Sequence, residues 1–309
     1  MSKSFAVLGD TQQTLLIESL VFRRERNPAE QKFLIETLAQ EQIEFLVHLG
    51  DMVAWGANPF HWKYFDLLMK PLRDAKIAVH PVLGNHDYYL PVGMALGHIK
   101  KRFPQLKERT WYSKSFDSLG LIWIDSNRFH LGASRWDMQK RWFKDTLAHF
   151  ESEPGVNGVL VFDHHPPHTN SKVNHDAKYL HEFVHEFVRS PKALAWISGH
   201  AQGYEHFYHQ GKNFVVSGGG GGPRVKYHQG ERARHLDLYK GSEPRPLNYL
   251  IVSSEPTQIR ITAKGMQKGE DQVRVFDEIV IQKKSHASKD SLGTSIAHGP
   301  TCVTKKQFE

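Results

Sequence analysis

The chain has 309 residues, of which 39% are hydrophobic and 24% charged, and its formal net charge is +7 with histidine neutral. This composition is typical of a globular protein, and a chain of this length can bury a large core without disulfides. The single cysteine, Cys302, excludes an intrachain disulfide and a thiolate metal cluster.

The same features bound the expected location and partners. No apolar run approaches the ~20 residues of a membrane span, and the run Phe5–Leu8 is too short for the core of a signal peptide. We therefore expect a cytoplasmic protein, which agrees with its single cysteine. The positive charge would attract phosphorylated ligands, but it is spread along the chain and gives no specific support for nucleic acid as a partner.

The first part of the chain alternates between predicted strands and helices. Short apolar runs predict strands at 5–8, 45–49 and 77–83, and apolar residues at helical spacing predict helices at 28–41 and 59–74. This alternation predicts an α/β fold with parallel strands, in which functional side chains collect at the carboxyl ends of the strands.

The remainder of the chain adds strands, two more helices and two polar segments. Polar, mixed-charge residues at 223–245 predict an irregular insertion, either a lid or a disordered loop. Residues 284–309 predict a flexible tail, so one catalytic domain is expected over 1–283. The other predicted strands are 110–116, 119–125, 156–162, 193–197, two within 203–217, 247–253, 258–263 and 272–282, and the helices are 134–150 and 176–189.

Five polar clusters each follow a predicted strand. Phosphate-ester hydrolysis benefits from two cations about 3.5–4 Å apart, joined by a bridging carboxylate. Asp, Asn and His side chains suit Mn, Fe or Zn at such a site, and neighbouring glycines permit the tight turns that bring ligands together. The clusters are Gly9-Asp10-Thr11-Gln12, Gly50-Asp51, Gly84-Asn85-His86-Asp87, His164-His165-Pro166 and Gly199-His200-Ala201-Gln202.

In this order the clusters resemble the motifs of the calcineurin-like metallophosphoesterase superfamily, over roughly residues 5–222. That pattern is Asp-x-His, Gly-Asp, Gly-Asn-His-Asp/Glu, His before Pro, and Gly-His-x-His. The resemblance implies a four-layer α/β/β/α sandwich with two mixed β-sheets. It also implies hydrolysis of phosphomonoesters or phosphodiesters by a metal-activated water, without a covalent enzyme intermediate. The cofactors would be two divalent ions, with Mn preferred and Fe, Zn or Mg as alternatives.

The resemblance implies a metal-binding role for each matching position. Asp51 would bridge the two ions, and Asp10 would serve the first site. The second site would be completed by Asn85, His164 and His200, with His165 as the alternative to His164.

Catalytic and substrate-binding roles are also implied near the Gly-Asn-His-Asp cluster. His86 would act on the phosphate as general acid or charge stabiliser, oriented by a hydrogen bond that it donates to Asp87. The expected substrate is a phosphorylated small molecule or nucleotide; the sequence does not specify it, nor the oligomeric state. The expected substrate-binding residues are Asn85, His86, Tyr88 and His168.

Two positions depart from the common family pattern, and both belong to the first metal site. Gln12 and Gln202 stand where the pattern has histidines, which gives Asp-x-Gln and Gly-His-x-Gln variants. If the amide oxygens of both glutamines bind the metal, oxygen atoms form most of the first site, which favours Mn or Mg over Zn. Ala54 stands where purple acid phosphatases have a tyrosine ligand, which argues against a tyrosinate-bound ferric site. The segment from Gly203 to Pro223 nevertheless resembles the acid-phosphatase-like branch.

Two alternatives from other functional classes remain. The glutamine substitutions favour a catalytically weak or inactive protein that keeps the fold and binds a phosphorylated partner. Separately, residues 181–185 match the zinc-protease pattern H-E-x-x-H in a predicted helix. Because His181 and His185 flank the apolar stripe of that helix, we expect a solvated helix face there and no protease site.

Overall fold

The computed structural model describes residues 2–284, so the predicted tail beyond Lys284, including Cys302, lies outside the described residues. Twelve strands are present in the described part of the chain. They are β1 (Lys3–Leu8), β2 (Phe45–His48), β3 (Ala78–Pro81), β4 (Tyr112–Phe116), β5 (Leu119–Trp123), β6 (Gly158–Asp163), β7 (Ala193–Ser198), β8 (Tyr204–His209), β9 (Lys212–Ser217), β10 (Leu247–Ser254), β11 (Gln258–Met266) and β12 (Arg274–Gln282).

Seven α-helices accompany these strands in the described residues. None of them is long and apolar enough to cross a lipid bilayer. They are α1 (Leu16–Val21), α2 (Pro28–Leu38), α3 (Pro59–Leu68), α4 (Lys70–Asp74), α5 (Val92–Arg102), α6 (Arg128–Ser152) and α7 (His181–Arg189).

The strands form two six-stranded mixed sheets. The order in the first sheet is β12-β11-β10-β1-β2-β3, and in the second it is β4-β5-β6-β7-β9-β8. Strands β1, β2 and β3 run parallel, as do β5, β6, β7 and β9, while the remaining neighbours pair antiparallel. Side chains of the central strands are buried on both faces, which is the burial that parallel strands require.

Three apolar clusters define the layers. One lies between the two sheets and includes Phe5 and Phe162. A second joins the outer face of the first sheet to helices α2 and α3, with Trp62 fully buried. The third joins the outer face of the second sheet to α6 and α7 through Phe143 and Phe183. The expected α/β/β/α sandwich with two mixed sheets is therefore confirmed.

Several predicted boundaries change in the structure. The predicted helix at 59–74 is divided at Met69 into α3 and α4. Helix α6 extends the prediction at 134–150 to both sides, with a break at Gly132, whose φ is 72°. Helices α1 and α5 were not predicted. Two glycines in α5 weaken its helical signal, and it is held in place by packing of buried Ala95 and Ile99.

The segment 223–245 is irregular, as predicted, but the disordered-loop interpretation is wrong for this segment. Tyr227 and Tyr239 are buried, and the Arg245 guanidinium lies 4.8 Å and 4.6 Å from their ring centroids. The Tyr227 hydroxyl donates a hydrogen bond to the carbonyl oxygen of Ala201. The segment therefore supports the turn that carries His200.

Glu205, a fully buried carboxyl group in β8, gives a testable pH dependence of stability. Its oxygens accept hydrogen bonds from Asn170 N at 2.7 Å and from the Thr169 hydroxyl at 2.5 Å. Burial outweighs these bonds and raises the pKa of Glu205 from 4.5 to about 8. Because the folded state holds this proton more tightly, the free energy of unfolding should fall as pH rises from about 4.5 through about 8.

The Glu205→Gln protein should lose this dependence, because the amide cannot ionise. We expect its free energy of unfolding to exceed that of the unsubstituted chain by about 2 kcal/mol more at about pH 9 than at about pH 6. Thermal or urea unfolding at the two pH values measures the difference. Glu36→Gln, an exposed position in α2, is the control. Equal pH dependence of the two variants would contradict the prediction.

Candidate metal centre

The candidate ligands stand at the carboxyl ends of five strands. Asp10 follows β1, Asp51 follows β2, and Asn85 follows β3 after a short turn. In the other sheet, His164 directly follows β6, and His200 follows β7 after one glycine. The two sheets bring these edges together, since the His200 backbone N–H donates to Asp10 Oδ2 at 2.9 Å.

Three of these residues, and Gln202 beside them, hold an unfavourable backbone conformation. The φ angles of Asp10, Asp51, His200 and Gln202 are 62°, 50°, 66° and 44°. Each such left-handed, non-glycine residue costs roughly 1–2 kcal/mol, and such strain concentrates at functional sites. Glycine is required next to them, because a Cβ at Gly84 would collide with the Asp51 carboxylate.

The best-defined donor set surrounds one nitrogen of His164. Its Nδ1 lies 2.8 Å from the Leu49 carbonyl oxygen, which can only accept, so Nδ1 carries a proton. Its Nε2 lies 3.2 Å from Asn85 Oδ1, 3.1 Å from His200 Nδ1 and 3.4 Å from Asp51 Oδ1. Even if His164 Nε2 were protonated, its single N–H could not serve all three neighbouring atoms. The set therefore fits a cation.

The electrostatics of this donor set also favour added positive charge. Burial opposes charging of His164, but the Asp51 carboxylate outweighs burial and raises the His164 pKa to about 10. Burial acts on Asp51 in the opposite sense, yet His164 holds the pKa of Asp51 well below its usual range. Burial, with His164, lowers the His200 pKa to about 3, which leaves its imidazole neutral and able to bind metal.

Asp10 is the centre of the predicted first site. It is fully buried, and its Oδ1 has no hydrogen-bond partner among the described residues. Burial raises the pKa of Asp10 well above its usual range, and the nearby Asp51 carboxylate raises it further. A buried carboxylate oxygen without a donor is costly, and a cation would remove that cost. Asp10, Asp51 and His164 form one group of donor atoms close enough to share an ion.

The two glutamines of the first site lie against each other. With the Gln12 amide nitrogen donating to the carbonyl oxygens of Asp10 (3.2 Å) and Asp51 (3.1 Å), its oxygen accepts a hydrogen bond from Gln202 Nε2 at 2.7 Å. Both side chains are buried. The histidines of the common pattern are thus replaced by a mutually hydrogen-bonded amide pair beside Asp10.

Restoring histidine at both positions should strengthen the first site. The Gln12→His/Gln202→His protein should bind its second equivalent of Zn at least about tenfold more tightly, since imidazole is a better Zn ligand than an amide. Titration calorimetry of metal-free protein measures this affinity. A Gln229→His/Gln267→His protein, changed at positions outside the site, is the control. Equal Zn affinity in the two proteins would contradict the prediction.

His86 lies at the opening of the site, with its side chain 20% exposed. Its Nε2 is 3.9 Å from Asp51 Oδ2, and its Nδ1 lies 3.0 Å from the Ala54 carbonyl oxygen. The predicted hydrogen bond between the His86 ring and the Asp87 carboxylate is therefore wrong. The Asp87 carboxylate instead accepts hydrogen bonds from the backbone N–H groups of Met52, Val53 and Gly84 at 2.9–3.3 Å. Asp87 ties together the turns that carry Asp51 and Asn85.

Two predicted substrate contacts also need correction. The Tyr88 ring is 2% exposed, donates its hydroxyl to Asp125, and stacks on His130. His168 packs instead among Phe214, His209 and His235 at ring-centroid distances of 4.7–5.0 Å. Neither side chain has a contact with the candidate ligands among those described. The physical reason is the direction of each chain segment at these positions, which residue spacing alone does not give.

Tyr89 takes the position that was predicted for its neighbour. Its ring lies 4.4 Å from that of His86, and its hydroxyl lies 3.4 Å from Asn85 Nδ2. His86–Tyr88 form a 3₁₀ turn, in which side chains three positions apart lie on the same side. A prediction of that turn would have selected Tyr89 from the sequence.

His165 and the H-E-x-x-H residues are resolved differently. His165 remains an alternative ligand, because it forms a second donor group with His164 and His200, although its Nδ1 lies 2.9 Å from the Ser126 hydroxyl. His181, with its side chain 73% exposed, and His185 belong to neither donor group found in the described residues. The solvated helix face expected there agrees with this arrangement.

The architecture and the sequence both match known proteins. A purple acid phosphatase, PPD1 from yellow lupin seeds, is 14% identical with a TM-score of 0.67; the match covers 97% of this chain and 57% of the lupin chain. A dimetal phosphatase from Danio rerio is 16% identical with a TM-score of 0.59, over 89% of this chain and 99% of that one. At such identities the likeness establishes the fold alone.

Sequence comparison gives the family. Among proteins with curated functions, none matches the sequence of this chain. The model of the calcineurin-like phosphoesterase family, in contrast, matches residues 3–204, which is well over half of the chain and includes each of the five polar clusters. This chain therefore belongs to the calcineurin-like phosphoesterase family.

Proposed function

We propose that the protein hydrolyses phosphomonoesters or phosphodiesters with two divalent cations. The observation that carries the proposal is the convergence of Asn85, His200 and Asp51 donor atoms on His164 Nε2, within 3.1–3.4 Å. The Asp10 Oδ1 atom, which has no hydrogen-bond partner among the described residues, supports an ion at the first site as well. Mn is the proposed metal, because the amides and carboxylates of the first site favour hard ions.

The ligand residues and the residues at the opening have separate tasks. Cations held by this set would polarise the phosphoryl oxygens and lower the pKa of water. Asn85 is both a ligand and a hydrogen-bond partner of Tyr89, so it can position an ester at the opening. His86 presents its Nε2 there, where a proton could pass to the leaving oxygen. Asp87 holds the two ligand turns in place through backbone N–H groups.

The test is turnover of p-nitrophenyl phosphate and bis(p-nitrophenyl) phosphate by metal-free protein reloaded with Mn. We expect turnover of at least one ester, restored after chelation by Mn and not by Ca, whose larger and more flexible coordination suits this ligand set poorly. A protein with Asn85→Ala should lose activity. Asn157→Ala, a half-buried amide just before β6 and outside the centre, is the control. Failure of every divalent ion to support turnover in folded, metal-loaded protein would falsify the proposal.

The Gln12–Gln202 pair supports a second candidate, a protein that binds a phosphorylated small molecule or nucleotide without turnover. In this alternative the amide pair replaces the first ion, and the ligand phosphate contacts a single ion at the other site. Metal analysis distinguishes the two: one equivalent of metal, phosphate binding and no hydrolysis favour the binder. We also propose a cytoplasmic location and a single catalytic domain over 1–283.

A further inference from the structure

Helix α1 carries a stripe of exposed apolar side chains. The helix has no buried residue. Leu16, Ile17, Leu20 and Val21 are 61–72% exposed, and Phe22 directly after them is 67% exposed. Their spacing places them on one side of the helix, with the polar residues on the other. Contiguous exposed apolar surface of this kind marks an interaction site.

This helix borders the opening of the candidate metal centre. Leu16 lines a cavity of about 230 Å³ together with Gln13, which follows the candidate ligand Gln12. Tyr89, also at the opening, contacts the side chains of Asn85 and His86.

Further exposed apolar side chains lie beside Tyr89. The Trp55 ring is 44% exposed and lies 6.2 Å from the Tyr89 ring. Its Nε1 donates a hydrogen bond to the carbonyl oxygen of Leu90, whose side chain is 65% exposed. We call these residues together the apolar rim. The apolar rim consists of Leu16, Ile17, Leu20, Val21, Phe22, Trp55 and Leu90.

Charges beside the apolar rim are predominantly positive. Glu18 is the acidic residue of α1. Its carboxylate accepts a hydrogen bond from the backbone N–H of Leu15 at 2.8 Å and forms an ion pair with the Arg24 guanidinium at 3.2 Å. Arg23 and Arg26 are exposed, and neither forms an ion pair with any residue of the described chain. Exposed apolar side chains flanked by arginines are the features with which amphipathic helices bind anionic lipid headgroups.

We propose that the apolar rim binds the surface of a lipid bilayer that contains anionic headgroups. The apolar side chains would enter the boundary between headgroups and acyl chains, while Arg23 and Arg26 contact lipid phosphates. Bound in this way, the protein would face the bilayer with the opening of its metal centre. We therefore propose, resting on the proposed function, that its substrate is a phosphoester presented at that surface.

Sedimentation with vesicles tests the binding without reference to activity. The full chain should sediment with vesicles of equal parts phosphatidylcholine and phosphatidylglycerol, and less with phosphatidylcholine alone or at high salt. Leu16→Ser/Leu20→Ser/Phe22→Ser should weaken binding at least about tenfold. Tyr208→Ser/Leu236→Ser, at positions 62% and 76% exposed elsewhere, is the matched control and should bind as the unsubstituted chain does.

A charge test separates the arginines from the apolar contact. Arg23→Glu/Arg26→Glu should reduce binding to the anionic vesicles, whereas Arg141→Glu/Lys144→Glu, with the same change in charge on α6, should retain most of it. Absence of sedimentation by the unsubstituted chain would overturn the proposal, as would equal binding by the serine variant and its control. A dimer in light scattering that the serine variant abolishes would also overturn it, because a second copy would then cover the rim.

Hydrolysis of a phospholipid in mixed vesicles tests the substrate class. We expect the serine variant to hydrolyse the vesicle lipid at least about tenfold more slowly, with unchanged turnover of soluble bis(p-nitrophenyl) phosphate. Vesicle binding without turnover of any ester would leave the lipid surface standing and remove the phosphoesterase. Turnover of soluble esters alone, without vesicle binding, would overturn the lipid proposal and keep the phosphoesterase.

Discussion

The Asp51→Asn protein should lose metal from both sites and hydrolyse phosphoesters at least about a thousandfold more slowly. Asp51 is the one candidate ligand whose carboxylate faces both halves of the centre. Its Oδ1 lies 3.4 Å from His164 Nε2, and its Oδ2 lies 3.3 Å from the Gln12 side-chain oxygen that accepts the hydrogen bond from Gln202. An amide in its place removes the negative charge that two cations would share.

Metal analysis after gel filtration, together with turnover of p-nitrophenyl esters, measures both effects. Asp163→Asn is a suitable control, since Asp163 is a fully buried carboxyl in β6, hydrogen-bonded to Ser198, and burial raises its pKa to about 7. It should keep its metal. The Asp51→Asn protein should remain folded by circular dichroism. Full metal occupancy in that protein would show that Asp51 does not bridge.

His86→Ala should lower kcat by about a hundredfold or more while leaving the metal content unchanged. The side chain lies at the opening, with Nε2 3.9 Å from Asp51 Oδ2, and it belongs to neither donor group found in the described residues. It can therefore act on the ester without holding an ion. His149→Ala, an exposed position in α6, is the control. Loss of metal from the His86→Ala protein would make it a ligand, and unchanged turnover would remove it from the mechanism.

The choice of leaving group separates the two roles of His86. If its proton passes to the leaving oxygen, His86→Ala should slow an alkyl phosphoester far more than a p-nitrophenyl ester, whose leaving group needs little protonation. If it stabilises charge on the phosphoryl group, both esters should slow equally.

Asp87→Asn serves as a comparison. It should lower thermal stability and metal affinity together, since its carboxylate holds backbone groups of both ligand turns.

Local patterns were sufficient to predict which candidate ligands lie close together, but not the contacts around them. Asp10, Asp51 and Asn85 stand directly after buried apolar runs, and parallel strands bring such positions to one edge. The direction of Asp87 depends on how the turns after β2 and β3 fold against each other. The sequence does not encode that arrangement in any periodicity, so the pattern suggested an imidazole partner where backbone N–H groups stand.

Long-range contacts account for the other differences. Gln12 and Gln202 are 190 positions apart, and their hydrogen bond exists only because the two sheets pack face to face with the carboxyl ends of their central strands close together. The buried tyrosines of 223–245 are scattered among charged residues, so composition predicted a loop without a core of its own. Tyr227 instead reaches Ala201 across the fold. The apolar residues of α1 are exposed and belong to none of the three apolar cores.

The left-handed backbone of Asp10, Asp51, His200 and Gln202 links metal supply to the lifetime of the protein. Ions that bind only the folded chain stabilise it, by about 2.7 kcal/mol at a hundredfold excess over the dissociation constant. That gain is of the same order as the strain of two such residues. In a metal-starved cell the chain would unfold and be degraded more often, so its abundance would follow the concentration of available divalent ions.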